Sequence, residues 1–145
     1  MAKLGLALCA ICLVAAAASA QEDRAEAVER PAISIELNAA AQAEGGCTLS
    51  FLLSNGHDRA VESAVYEAVL FDAGGQVAQL TLFDFGSLPP GRPRVRQFTL
   101  PDRQCDEIGM LLINGAQSCE APGLDAEICI ETLRLDTRTD IEIAG

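Results

Sequence analysis

Ile33-Ser34-Ile35-Glu36-Leu37-Asn38 and Cys47-Thr48-Leu49-Ser50-Phe51-Leu52-Leu53-Ser54 decide the fold. In both, an apolar side chain alternates with a polar one, the period of a strand with one face buried and one face wet. Outward from them the same period recurs. Residues 64–72 are β-rich and end at Ala73-Gly74-Gly75, a hairpin signal, and 76–85 return, so these two segments are expected to pair directly. Leu88-Pro89-Pro90-Gly91 is a turn by composition, because proline fixes φ and glycine accepts positive φ. A fifth strand follows over 94–100, and a sixth runs from Cys105 or Asp106 to Ile113, stopping at Asn114-Gly115. The stretch 121–129 allows one helical turn, and 130–143 supplies a last β segment, bent near Asp136. Seven strands at roughly ten-residue spacing predict an all-β fold, an Ig-like β-sandwich over 32–145 with a short helical turn before the last strand. A small closed barrel is the rival, and it would join first and last strands into one continuous ladder.

What precedes that domain concerns export. Met1-Ala2-Lys3, an apolar run from Leu4 to Ala18 and the small-x-small close Ala18-Ser19-Ala20 read as a signal peptide over 1–20. A membrane anchor is the competing reading, but a spanning helix needs about 20 apolar residues. Neither Cys9 after Leu8 nor Cys12 after Ile11 has the small residue before it that lipidation requires. Residues 21–31 are charged, stop at Pro31 and read as a linker.

All 21 acidic residues lie beyond residue 20 and the only lysine, Lys3, before it, so nine arginines face 21 acids in the exported chain. The resulting net charge of −12 argues against nucleic-acid binding and against adhesion to anionic lipid. No membrane insertion is expected after signal cleavage, and localisation is periplasmic or secreted.

Four cysteines survive cleavage: Cys47, Cys105, Cys119 and Cys129. An even number in an exported chain favours two disulfides, with three possible connectivities. If successive strands reverse, Cys47 and Cys105 fall at the same end of the domain and staple the two sheets, leaving Cys119 to join Cys129. Chain entropy gives the longer loop roughly 4 kcal/mol and the shorter roughly 3. Zinc is the competitor, but the cysteines lack paired C-x-x-C spacing and the only histidine, His57, sits in a turn. No metal site and no cofactor are expected.

Catalytic residues are not expected either. Asp84-Phe85-Gly86 spells a kinase magnesium motif without the phosphate loop, lysine or catalytic-loop elements that give it meaning, and there is no Gly-x-Ser-x-Gly. One feature stands apart: Arg92, Arg94 and Arg96 occupy alternate positions. They form either a contact stripe for an anion or carboxylate, or the charged guard of an edge strand paired with nearby acids. Their parity matches Phe98 and Leu100, which look like core residues. Either a bulge intervenes near Gln97, or the guanidinium stems lie on the rim of the core.

Leu82-Phe83-Asp84-Phe85-Gly86-Ser87-Leu88-Pro89-Pro90-Gly91, with Phe98 and Leu100, resembles the strand, turn, strand unit of bacterial Ig-like modules of the FxLYD type, although that signature is not spelled out here. Asp84 to Phe98 with Leu112-Ile113-Asn114-Gly115 is similar to a group of short exported alphaproteobacterial proteins with no assigned activity. The resemblance implies a sandwich over about 33–145 and brings no active site with it. The expected role is a non-catalytic interaction or structural module with an envelope protein as partner. A binder of a small anionic ligand is the alternative, and a hydrolase a distant third. Oligomeric state is not legible.

Overall fold

The alternation becomes two sheets in the computed structural model, which describes residues 30–145. The expected signal peptide lies outside the described residues, as does the expected linker apart from Arg30 and Pro31. In chain order the strands are β1 (Ile33–Ala43), β2 (Gly46–Asn55), β3 (Val61–Asp72), β4 (Val77–Leu88), β5 (Arg94–Pro101), β6 (Ile108–Glu120), β7 (Leu133–Thr137) and β8 (Glu142–Ala144), with a short helix α1 (Ile128–Glu131) between β6 and β7. Sheet one has the order β5-β2-β1-β7 and sheet two the order β4-β3-β6-β8. First and last strands do not close one ladder, so the fold is a sandwich and the barrel is excluded.

Inward-facing side chains of both sheets build one core. Ile33, Ile35 and Leu37 of β1 and Cys47, Leu49, Phe51 and Leu53 of β2 meet Tyr66, Ala68 and Leu70 of β3, Phe83 and Phe85 of β4, and Leu111 and Ile113 of β6. At its centre Phe51, Phe83, Phe85 and Phe98 form a mutually contacting cluster, with ring centroids from 4.7 Å (Phe83–Phe98) to 6.1 Å (Phe83–Phe85), and Tyr66 joins it at 5.8 Å from Phe85. Tilted and edge-on pairs of this kind contribute about 0.5–1.5 kcal/mol each beyond the area they bury.

Three local expectations are corrected. Asn114-Gly115 does not stop β6. That strand continues to Glu120 because β3 offers a partner along its whole length, and register shifts at Val65/Tyr66 and Glu67/Ala68 absorb the extra residues. The sixth strand begins at Ile108 rather than Cys105, since Cys105–Glu107 is a single 3-10 turn. The last β segment is two strands: β7 pairs in parallel with β1 and β8 in parallel with β6, so the chain changes sheets between Thr137 and Glu142.

Both disulfides join the pairs that geometry favoured. Cys47 of β2 bonds Cys105, just ahead of β6, with Cα atoms 5.0 Å apart, which staples sheet one to sheet two. Cys119 of β6 bonds Cys129 of α1 across 6.1 Å. The loop so closed is also held from within the core: the buried Tyr66 hydroxyl donates to the Cys129 carbonyl at 2.9 Å. Burial pushes the Tyr66 phenol above its ordinary range, because tyrosinate would lose its water there. Two disulfides fit an oxidising, extracytoplasmic environment. No described helix is long and apolar enough to cross a membrane.

Candidate interaction surface

Each sheet has an outer face, and the residues that point there follow from the ladder registers. On sheet one the outward rows include Ser54, Ser34 and Arg134, and then Val95, Leu52, Glu36 and Asp136. Polar partners tie these rows across strands: Thr48 with Thr99 at 3.0 Å, Gln97 donating to Ser50 at 2.8 Å, and Arg138 donating to Glu36 at 2.9 Å. Hydrogen bonds from Arg138 and Asn38 hold the Glu36 carboxyl below its ordinary range. A shallow groove of about 470 Å³ crosses this face, lined by Ser34, Glu36, Leu52, Ser54, Arg134 and Asp136 among others.

Sheet two presents a different face. Its registers set Leu82 beside Glu67, Leu80 beside Val69 and Leu112, and Val77 beside Phe71 and Met110. Ala144 of β8 continues the middle row beyond Leu112. Leu80 is 62% exposed, Val77 59% and Leu82 52%, values that place three aliphatic side chains of one strand in water. None of them belongs to the core cluster. From strand spacing and rise the apolar area is on the order of 400 Å², within the range in which a monomer's largest patch is often functional. No lysine or arginine occurs in any of the four strands of this sheet. Its outward charges are acidic: Glu67 within the face, bonded to the Asn114 side chain, and Asp84, Glu120 and Glu142 around it.

Of the arginines expected to form a stripe, Arg94 and Arg96 share one face of β5 and Arg92 precedes the strand. Arg92 is exposed in the turn before β5. Arg94 and Arg96 lie on β5 in unbroken register with Leu53 and Phe51, which resolves the parity problem: no bulge intervenes, and both side chains are half-buried on the core-facing side of the strand. Arg96 donates through Nε to the Phe85 carbonyl at 3.0 Å and through a terminal nitrogen to the Val95 carbonyl at 3.1 Å. Arg103 reaches the same strand β4 and donates to the Ala78 carbonyl at 3.0 Å. Two guanidinium groups thus occupy carbonyls of β4, an edge strand otherwise open to pairing with another chain. None of the three stripe arginines has an ion pair with a carboxylate among the described residues.

The remaining sequence candidates have structural settings. Asp84 accepts from the Gly86 amide at 2.8 Å, and Gly86 has φ +66°, so the Asp-Phe-Gly motif is a bulge that needs glycine. His57 hydrogen-bonds with Thr132 at 3.1 Å. Asn55, buried at 1% exposure, donates to the Arg59 and Leu88 carbonyls and accepts from the His57 amide. No group of three or more His, Cys, Asp or Glu residues that could hold a metal occurs among the described residues.

The apolar face of sheet two was not among the sequence candidates, though a signal for it existed. In 64–71 both parities are apolar: Tyr66, Ala68 and Leu70 on one side, Val65, Val69 and Phe71 on the other. A strand of a two-layer sandwich needs only one.

No protein-family model matches the chain, and no curated protein matches it significantly. Among solved structures it is similar to IrmA from Escherichia coli, with a TM-score of 0.55 and 18% identity over 73% of this chain and 92% of that one. At that identity the likeness supports the two-sheet sandwich and assigns no family or function.

Proposed function

We propose that this chain is an exported, non-catalytic module of the cell envelope that acts by docking a protein partner on the outer face of sheet two. The observation that supports the reading is the exposure of Val77, Leu80 and Leu82 together, beside Val69, Phe71, Met110 and Leu112, in an otherwise strongly acidic chain. Interfaces place such apolar side chains at their centre and polar ones at the rim. The disulfides and the signal-like N-terminus support export to an oxidising compartment, periplasmic or extracellular.

The test uses the chain purified from the envelope of its host. Its N-terminus by mass spectrometry is expected at Gln21, and an intact Met1 contradicts export by signal cleavage. As bait, the wild-type chain is expected to retain a protein that the Leu80→Gln, Leu82→Gln double variant releases and that a Leu52→Gln, Val95→Gln variant on sheet one keeps. Retention by both variants contradicts the assignment of the face.

A further inference from the structure

The chemistry of the partner can be taken further, resting on the docking reading just given. Sheet two combines an apolar centre with charges of one sign: Glu67 lies inside the face, and Asp84, Glu120 and Glu142 stand at its margins. Two cations that reach β4, Arg96 and Arg103, come from outside the sheet, and their hydrogen bonds run to carbonyls of that strand. Acidic residues on one side of an interface call for basic residues on the other, because like charges brought together cost several kcal/mol and unlike charges raise the association rate. We propose that the occupant is a protein segment with an apolar stripe flanked by lysine or arginine.

Two other occupants fit less well. A second copy would set Glu67 and the acidic margins against their own equivalents across a two-fold axis. An anionic bilayer would be repelled by the same residues. The edge of β4 is also a poor site for strand addition, since Arg96 and Arg103 already hold its Phe85 and Ala78 carbonyls.

The test uses short synthetic amphipathic peptides as probes: one of leucine and lysine, one of leucine and glutamate in the same pattern, and one of glutamine and lysine without the apolar stripe. Binding to the exported chain is followed by backbone amide shifts. The leucine-lysine peptide is expected to bind, to move amides of Val65–Phe71 and Val77–Leu82, and to weaken by about tenfold or more with Leu80→Gln and Leu82→Gln. Neither of the other peptides should reproduce that pattern. Equal binding of the lysine and glutamate peptides overturns the charge inference while leaving the docking face intact. Lysine-peptide binding that is indifferent to Leu80→Gln and Leu82→Gln overturns both. Sedimentation showing a dimer abolished by Leu80→Gln, or flotation with anionic vesicles lost in the same variant, assigns the face to a different occupant and overturns the proposal.

Discussion

The outer faces of the two sheets are built from the same backbone geometry and differ in chemistry. Sheet one carries Ser34, Glu36, Thr48, Ser50, Ser54, Gln97, Thr99 and Arg134 outward, with only the Leu52–Val95 pair large and apolar among them and with cross-strand hydrogen bonds such as Thr48–Thr99 and Gln97–Ser50 tying neighbouring strands. Sheet two carries Val65, Val69, Phe71, Val77, Leu80, Leu82, Met110 and Leu112, with acids and no basic residue in its strands. A sheet needs one apolar face to make a sandwich, and both sheets supply it. Folding therefore accounts for the inner faces and for the polar outer face of sheet one, while the second apolar face of sheet two is surplus to it.

The largest expected effect tests whether the two sheets depend on being joined. Replacing Cys47 and Cys105 together by alanine removes a bond that closes a loop of sequence separation 58. Denaturant unfolding should show a loss of about 4 kcal/mol, a large share of a typical domain stability of about 5–15 kcal/mol. An unchanged midpoint would mean that the core alone holds the sheets together.

A smaller effect comes from the pin between sheet two and the α1 loop. Tyr66→Phe leaves the Cys129 carbonyl without its donor, a change expected to cost about 1–2 kcal/mol. It also has a pH signature. The folded state keeps the phenol protonated above the pH, about 10, at which the unfolded chain releases it, so wild-type stability falls as pH rises past that value. Tyr66→Phe should flatten this alkaline decline, and an unaltered decline would contradict the burial argument.

Smaller still is the effect of Leu80→Gln with Leu82→Gln, which should leave stability within about 0.5 kcal/mol per site, since both side chains are more than half exposed. A loss of several kcal/mol would show that they pack on the fold, and the contrast between the two outer faces would lose its functional meaning. On sheet one, Glu36→Gln removes a carboxyl held below its ordinary range. The stability this group provides is present above its unfolded pKa of about 4.3 and is lost as pH falls, so the variant should differ from wild type near neutrality and converge with it in acid.

Much of this architecture was legible in the sequence where one parity was apolar and the other polar. Ile33, Ile35 and Leu37, and Cys47, Leu49, Phe51 and Leu53, announced both their strands and their buried faces, and the reversal of successive strands, which makes the second and sixth run the same way, pointed to the Cys47–Cys105 pair. Legibility failed where tertiary partners decided. Asn114-Gly115 has turn chemistry, but β3 supplies a ladder to pair with, so the strand bulges instead of ending. The break after Thr137 follows from β7 and β8 finding partners in different sheets, which local pattern does not encode. Arg94 and Arg96 stood out by charge, and their parity with Phe98 left a bulge or the core rim open until the unbroken β5 register decided for the core-facing side, where Arg96 serves the β4 edge. The face of sheet two escaped notice because a strand apolar on both sides looks, in sequence, like a strand buried on both sides.

Site-specific photocrosslinking in the host envelope tests the central claim most directly. A photoreactive residue placed at Leu82 on sheet two should yield a discrete crosslinked protein adduct, and the same residue placed at Gln97 on sheet one should yield none. Adducts from Gln97 and not from Leu82, or from neither position, would contradict the assignment of sheet two as the docking face.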